Sequence, residues 1–114
     1  MVTPSAASIV LISFPFSDLS RTKFRPAVVL ASAGLDDWIL CQVTSNAYAD
    51  AQAVKISDSD FLTGGLLRMS YARPGKLFTA SRSLIVNEVG ILKNESFELI
   101  IEAIVKLLRN NRNP

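Results

Sequence analysis

The most informative stretch of the chain is residues 14–30, which read FPFSDLSRTKFRPAVVL. An apolar run enters a polar loop that is rich in turn residues, and the chain then returns at once into an apolar run at residues 27–30. This pattern predicts two strands joined by a loop. The loop carries Arg21, Lys23 and Arg25 with no acid between them. We therefore expect positive charge at the mouth of a strand pair, which is a natural place to hold phosphate.

Length and composition predict one small globular domain over residues 1–114. With 49% apolar and 19% charged residues, the chain can build a real core and is too apolar to be disordered. No run approaches the roughly 20 uncharged apolar residues that a spanning helix needs. The N-terminus also lacks the layout of a signal peptide. We therefore expect a cytoplasmic protein that does not bind membranes.

The cysteine and histidine counts exclude several kinds of catalytic site. Cys41 is the single cysteine and the chain has no histidine, so an intrachain disulfide is impossible. A nucleophilic cysteine usually needs a histidine to activate it, and a zinc site needs more ligands than one cysteine supplies. We interpret Cys41 as a small core thiol and expect neither a metal nor another cofactor.

Short apolar runs bounded by turn residues predict strands along most of the chain. We predict them at residues 9–14, 27–30, 38–44, 53–57, 69–71, 76–79 and 85–92, with residues 61–62 in a loop. From Asn94 onward the apolar residues recur at helical spacing, and Asn94 is the predicted cap. These elements predict a mainly β fold with a C-terminal helix (α+β), a small curled barrel of about five to seven strands.

A second basic segment lies far along the chain from the first. Residues 61–87 contain no Asp or Glu but hold four cations, namely Arg68, Arg73, Lys76 and Arg82. If the fold brings the two basic segments together, they form a positive patch able to attract a phosphate backbone. The alternative is that both are solvated loops that never meet. Net charge, at only +2, does not choose between these alternatives.

Four segments, taken in order, resemble the MazF/PemK-like toxins of bacterial toxin–antitoxin systems. They are IVLISFPF at residues 9–16 followed by DLS at 18–20, RPAVVL at 25–30, ILCQVTS at 39–45 and YARPGKLFT at 71–79. A predicted helix after GIL at residues 90–92 completes the pattern. No single motif decides the matter, but four motifs in the right order make the resemblance fairly specific.

The resemblance implies a fold, an activity and partners. The fold would be an SH3-like curled barrel of the MazF/PemK/CcdB type, assembled as a homodimer. The activity would be that of a type II toxin, a sequence-selective endoribonuclease that cleaves single-stranded RNA without a metal. The partners would be the RNA substrate and a cognate antitoxin whose flexible acidic segment covers the active groove.

The resemblance also implies roles for particular residues. The catalytic residues would be Arg25, Thr44 and Arg73, and the RNA-binding residues would be Arg21, Lys23, Ser45 and Lys76. These residue types suit RNA cleavage, because RNA carries its own nucleophile in the 2′-hydroxyl. The enzyme must then hold the backbone for in-line attack and stabilise charge on the phosphoryl oxygens. A guanidinium can grip two phosphate oxygens, and a threonine hydroxyl can donate to the same group.

Two departures from the family pattern keep other functions open. Many relatives carry Asp two residues after the second Arg, where this chain has Gly75, and many open the first strand with Gly-Asp or Gly-Glu, where it has Ala7 and Ser8. No general base is therefore assigned. One alternative is a catalytically degenerate member that only binds nucleic acid or antitoxin. The other is a non-enzymatic, CcdB-like toxin directed at gyrase, although the polar tail at residues 110–114 lacks an apolar terminal anchor.

Overall fold

The computed structural model describes residues 3–15, 22–47 and 49–110. These residues form strands β1 (Ser8–Pro15), β2 (Thr22–Gly34), β3 (Asp37–Thr44), β4 (Val54–Ile56), β5 (Phe61–Gly64), β6 (Ser70–Ser81) and β7 (Ile85–Leu92). The helix α1 (Asn94–Asn110) follows, and short 3₁₀ turns cover Asp58–Asp60 and Arg82–Leu84. The predicted mainly β fold with a C-terminal helix is confirmed.

All seven of these strands belong to one antiparallel sheet in the order β4-β6-β3-β2-β1-β7-β5. The sheet curls into a half-barrel. The long strands β2 and β6 lie on either side of β3, so the chain that follows β3 emerges beside both. The two basic segments of the sequence therefore contribute strands to the same central part of the sheet.

Each face of the sheet carries its own cluster of buried side chains, because successive side chains of a strand point to opposite sides. One cluster lies under α1 and contains Ile9, Val28, Cys41, Val43, Ile56, Phe61, Ala72, Leu92, Ile100 and Ile104. The second cluster lies on the other face and contains Val10, Ile12, Ala27, Val29, Leu40, Ala80 and Ile85. The second cluster has no helix over it among the described residues. It covers only part of its face, which leaves the strand ends of that face for a polar site.

Asp60 fastens the start of α1 to the sheet. Its Oδ1 accepts a bond of 2.8 Å from the Ser96 hydroxyl, and its Oδ2 accepts one of 2.7 Å from the Ser57 amide. Burial alone would raise the pKa of Asp60, but these hydrogen bonds outweigh it and hold the pKa below its ordinary value. The Phe97 amide donates to the Lys93 carbonyl, which makes Lys93 the N-cap residue. The predicted cap at Asn94 is therefore wrong by one residue.

Three predicted strand boundaries are wrong, because strands continue through residues that are typical of turns. The runs predicted at residues 69–71 and 76–79 belong to one strand, in which residues 73–76 all lie opposite Gln42 alone. The bulge accommodates Pro74, whose side chain is fully buried. Strand β2 runs for 13 residues through Pro26, since its ladder with β3 starts only at Ala27 and the missing N–H interrupts no bond there. Residues 61–62, predicted as loop, begin β5.

The only long helix among the described residues is α1. It is not long and apolar enough to cross a membrane, and no other described helix is either.

Candidate functional site

Strand register places Arg25 and Thr44 on the same face of the sheet. Arg25 pairs with Ile12 of β1, and β2 pairs with β3 through Ala27 and Gln42. Continued by two residues, that register sets Arg25 opposite Thr44, just beyond the end of the ladder. Because cross-strand partners share a face, both side chains belong to the face of Ile12, away from α1. Both residues are half-buried.

The hydroxyl of Thr44 helps to form the turn that ends β3. Thr44 Oγ1 accepts a hydrogen bond of 3.1 Å from the Asn46 amide and lies 3.2 Å from the Asn46 carbonyl, to which it donates. Such turns are typical of threonine at a strand end. The exposed bond to the carbonyl competes with water, so this hydroxyl can turn to another acceptor at small cost.

Arg73 forms an ion pair with a residue that the sequence did not indicate. Arg73 Nε donates to Asp50 Oδ2 at 2.9 Å, and the two side chains are 30% and 13% exposed. Asp50 Oδ1 accepts from the Gln52 amide at 2.9 Å. The bond from Arg73, followed by the Gln52 bond and the charge of Lys76, holds the pKa of Asp50 below its ordinary value of 3.8. Asp50 is therefore an anion at neutral pH.

The only signal for Asp50 in the sequence was its place in the loop after β3. Asp50 Oδ1 accepts a hydrogen bond from the backbone amide of Gln52, two residues later in the chain, which is the pattern of an Asx turn. Its contact with Arg73 spans 23 residues and depends on the bulge in β6. No local pattern in the sequence reports such a contact.

Two adjoining pockets open around Asp50. The larger, of about 270 Å³, is lined by Ser45, Asn46, Ala47, Asp50, Ala53 and Tyr71. The smaller, of about 230 Å³, is lined by Asn46, Ala47, Ala49, Asp50 and Arg73. Tyr71 pairs with Thr44 across β3 and β6, so the pockets lie beside the end of β3. Hydroxyl, amide, carboxylate and guanidinium groups thus line two neighbouring pockets that share Asn46, Ala47 and Asp50.

Of the four residues predicted to bind RNA, the structure describes three, and they lie in different places. Ser45 is exposed and lines the larger pocket, and the exposed Lys76 is near enough to Asp50 to help lower its pKa. Lys23 is exposed on β2, two residues before Arg25. Arg21 lies outside the described residues. The structure therefore brings Ser45 to the larger pocket and Lys76 near Asp50, and it leaves Lys23 along the strand that carries Arg25.

Cys41 lies under the site and is a core thiol, as predicted. Its side chain is fully buried, and Sγ donates a hydrogen bond of 3.2 Å to the carbonyl oxygen of Arg73. Burial raises the pKa of the thiol to about 11, so Cys41 stays neutral and is no nucleophile at physiological pH. Its contribution is to support the backbone of β6 at the bulge.

The described part of the chain holds no group of three or more His, Cys, Asp or Glu residues that could bind a metal ion. The side chains that line the two pockets include the hydroxyls of Ser45 and Tyr71, the Asp50 carboxylate and the Arg73 guanidinium. Such a set can bind a phosphate group and stabilise negative charge on it.

An antiparallel sheet curled into a half-barrel, with a C-terminal helix on one face, defines a protein of the MazF-like fold. The sequence agrees, because the profile of the PemK-like, MazF-like toxins of type II toxin–antitoxin systems matches residues 5–108. The chain belongs to this toxin family, which confirms the resemblance seen in the four motifs. A comparison with curated protein sequences gave no match. Nothing in the comparisons supports the gyrase-directed alternative.

Solved structures of low sequence identity share the fold. A MazE–MazF structure from Deinococcus radiodurans aligns with a TM-score of 0.75 at 18% identity, covering 96% of this chain and 98% of that one. The Mycobacterium tuberculosis toxin MazF-mt6 aligns at 0.69 and 19% identity, covering 90% and 96%. An endoribonuclease in complex with its cognate antitoxin, from a mycobacterial species, aligns at 0.69 and 14% identity, covering 100% of both chains.

Proposed function

We propose that this toxin is a metal-independent endoribonuclease that cleaves single-stranded RNA by attack of the 2′-hydroxyl on the adjacent phosphate. The observation that carries the proposal is the arrangement at the end of β3, where the Arg73–Asp50 pair borders the pockets and Thr44 pairs with Tyr71, which lines the larger one. Arg25 lies on the neighbouring strand β2. Membership of the MazF-like family supports it. The substrate supplies the nucleophile, so the protein needs to supply only positioning and charge stabilisation.

Each catalytic residue has a role suited to its chemistry. Arg25 binds the non-bridging oxygens of the scissile phosphate, since a guanidinium matches two such oxygens. Thr44 releases its bond to the Asn46 carbonyl and donates to the same phosphate. Arg73 stabilises charge on the leaving oxygen. With a pKa above about 12, an arginine does this as a cation rather than by giving up a proton.

The binding partners follow from the same site. Lys23, Ser45 and Lys76 contact the RNA backbone or bases on either side of the scissile phosphate. A cognate antitoxin with an acidic segment would compete for these cations, and the solved structures that share the fold include an endoribonuclease in complex with its cognate antitoxin. We also propose a homodimer as the working assembly.

Cleavage of a defined RNA by the purified protein tests the proposal. We expect single-stranded RNA to be cut in the presence of EDTA, leaving a 2′,3′-cyclic phosphate, while the 2′-deoxy version of the same oligonucleotide stays intact. Arg25→Ala should lower the cleavage rate by about 10²–10³-fold, as when one charge-stabilising donor is removed.

Lys106→Ala is the matched control, because it removes one cation from the exposed side of α1. Its rate should equal that of the wild type. Cleavage of the 2′-deoxy oligonucleotide would contradict the proposed nucleophile. Salt-sensitive RNA binding without any cleavage would instead identify a degenerate, binding-only member of the family.

A further inference from the structure

The ion pair between Arg73 and Asp50 uses only one of the hydrogen-bond donors of the guanidinium. Arg73 has five N–H donors, and Asp50 engages it through Nε alone. Among the described residues, the Arg73 side chain makes no other hydrogen bond or ion pair. The two terminal amino groups, which form the fork that matches phosphate, therefore remain for a ligand.

Asp50 is itself held in place from its own loop. Its Oδ1 accepts the Gln52 amide at 2.9 Å, and its own amide donates to the Ala47 carbonyl at 2.9 Å. One carboxylate oxygen thus bonds the loop and the other bonds Arg73. A carboxylate fixed in this way limits the guanidinium to a narrow range of orientations, with its Nε edge facing Asp50.

The carboxylate reaches Arg73 from the loop after β3 and not from β6. Gly75, two residues after Arg73, has no side chain, and a Cβ at that position would contact Leu107 Cδ2 of α1 at 3.7 Å. A side chain there would start beside the helix. The pockets, in contrast, are lined by Asp50 and by its loop neighbours Asn46 and Ala47.

We propose that Asp50 is a positioning residue that holds the Arg73 guanidinium with its terminal amino groups aimed at the phosphate of the RNA. This inference rests on the proposed ribonuclease function. Asp50 does not act as the proton acceptor, because both its oxygens are engaged and a carboxylate bonded to Arg73 is a weak base. It acts on the reaction only through Arg73.

The proposal predicts two effects of opposite sign. Removing a negative charge from a phosphate site should leave RNA affinity unchanged or raise it, by simple electrostatics. Losing the orientation of Arg73 should lower the rate of cleavage. A slower reaction with undiminished binding is therefore the signature of positioning, and a general loss of structure would lower both.

The test compares Asp50→Asn, Arg73→Ala, their double variant and the control Glu102→Gln, which neutralises an exposed carboxylate on α1. Single-turnover cleavage is measured on one RNA, and binding is measured on its 2′-deoxy analogue. We expect Asp50→Asn to cleave about 10- to 100-fold more slowly, since small misplacements of a catalytic group cost that much. Its binding should be equal or tighter. The double variant should be no slower than Arg73→Ala, and Glu102→Gln should match the wild type.

Three results would overturn the inference. An equal slowing by Asp50→Asn in the wild-type and Arg73→Ala backgrounds would show that Asp50 acts independently, for example as a proton acceptor. If Asp50→Asn cleaves RNA at the same rate as the wild type, Asp50 has no positioning role, but the proposed ribonuclease function stands. A wild type that cleaves no RNA would remove both.

A second variant guards against misfolding. If thermal unfolding shows that Asp50→Asn is not folded, Asp50→Glu replaces it. Glutamate keeps the charge but shifts the carboxylate by one methylene, so we expect cleavage to slow several-fold with binding retained. Cleavage by Asp50→Glu at the wild-type rate would then count against positioning.

Discussion

Two Arg–Asp pairs lie at opposite ends of the β3–β6 strand pair, and they differ in distance, in the exposure of the aspartate and in the bonding of the arginine Nε. Arg73 and Asp50 meet at 2.9 Å near the end of β3, with side chains 30% and 13% exposed. Arg82 and Asp36 meet at 3.6 Å near the start of β3, with side chains 32% and 68% exposed. The Nε of Arg73 is bonded, whereas that of Arg82 is buried and has no partner among the described residues.

The role of an ion pair depends on its surroundings, which are a tight turn at Asp36 and two pockets at Asp50. Asp36 lies in the β2–β3 turn with a positive φ of 68°, and the strand ends there are joined by a backbone bond from Arg82 to Asp36. The charges add little to that bond, since exposed pairs are typically worth about 0–1 kcal/mol. The Arg73–Asp50 pair instead borders both pockets through Asp50, where a bound phosphate would be partly shielded from water.

The largest expected difference between the pairs is in catalysis. Arg73→Ala should lower the single-turnover cleavage rate by about 10²–10³-fold, because it removes a donor that stabilises charge on the reacting group. Arg82→Ala should leave the rate within about twofold, as expected for a surface change away from the site. Equal losses in the two variants would mean that the site extends along the whole strand pair.

A smaller effect should separate geometry from charge. Arg73→Lys keeps the cation but loses the planar fork and the Nε donor that Asp50 holds, so we expect a rate loss on the order of tenfold. Arg82→Lys should have no effect on the rate. Full activity of Arg73→Lys, measured in the same cleavage assay, would show that a point charge is sufficient at this position.

The two acids should also differ in their effect on stability. We expect Asp50→Asn to lower the free energy of unfolding by about 1 kcal/mol, because the pair is close but partly exposed. Asp36→Asn should change it by less than about 0.5 kcal/mol. Urea denaturation at pH 7 measures both values, and a larger loss for Asp36→Asn would reverse the ranking of the pairs.

The smallest effect is the pH dependence of that stability. The pKa of Asp50 is lower in the folded protein than its ordinary 3.8, so its contribution is fully present above that value. It is lost as the pH falls through the folded pKa. The difference in unfolding free energy between wild type and Asp50→Asn should therefore be constant from pH 7 to about pH 5 and shrink below about pH 4. A difference that grows on acidification would contradict the direction of the shift.

Much of the fold was predictable from the sequence, and the failures have a common cause. The strands at residues 38–44 and 85–92 and the helix from Asn94 agree closely with Asp37–Thr44, Ile85–Leu92 and Asn94–Asn110. The errors fall at Pro26, at Pro74 and at residues 61–62, where proline or nearby aspartate and glycine residues indicate a turn or loop. In the folded chain Pro26 lies inside β2 because the ladder with β3 starts only at Ala27. A bulge keeps Pro74 inside β6.

The candidate site was predictable only in part, because some of its residues belong to local motifs and Asp50 does not. Arg25, Thr44 and Arg73 were identified because they belong to motifs that can be read locally and in order. Their catalytic roles stay a prediction until the cleavage assays are done. Asp50 was missed, since its importance depends on an approach to Arg73 across 23 residues.

Sequence patterns alone predicted the class of fold, the amphipathic helix, the buried thiol at Cys41 and the family to which the chain belongs. These properties depend on residue periodicity and on ordered motifs, which are local. Contacts between distant parts of the chain fix which carboxylate meets Arg73, how long β2 and β6 run, and where the pockets open. Those outcomes depend on strand register and loop closure, which join residues that are distant in the chain and leave no local pattern.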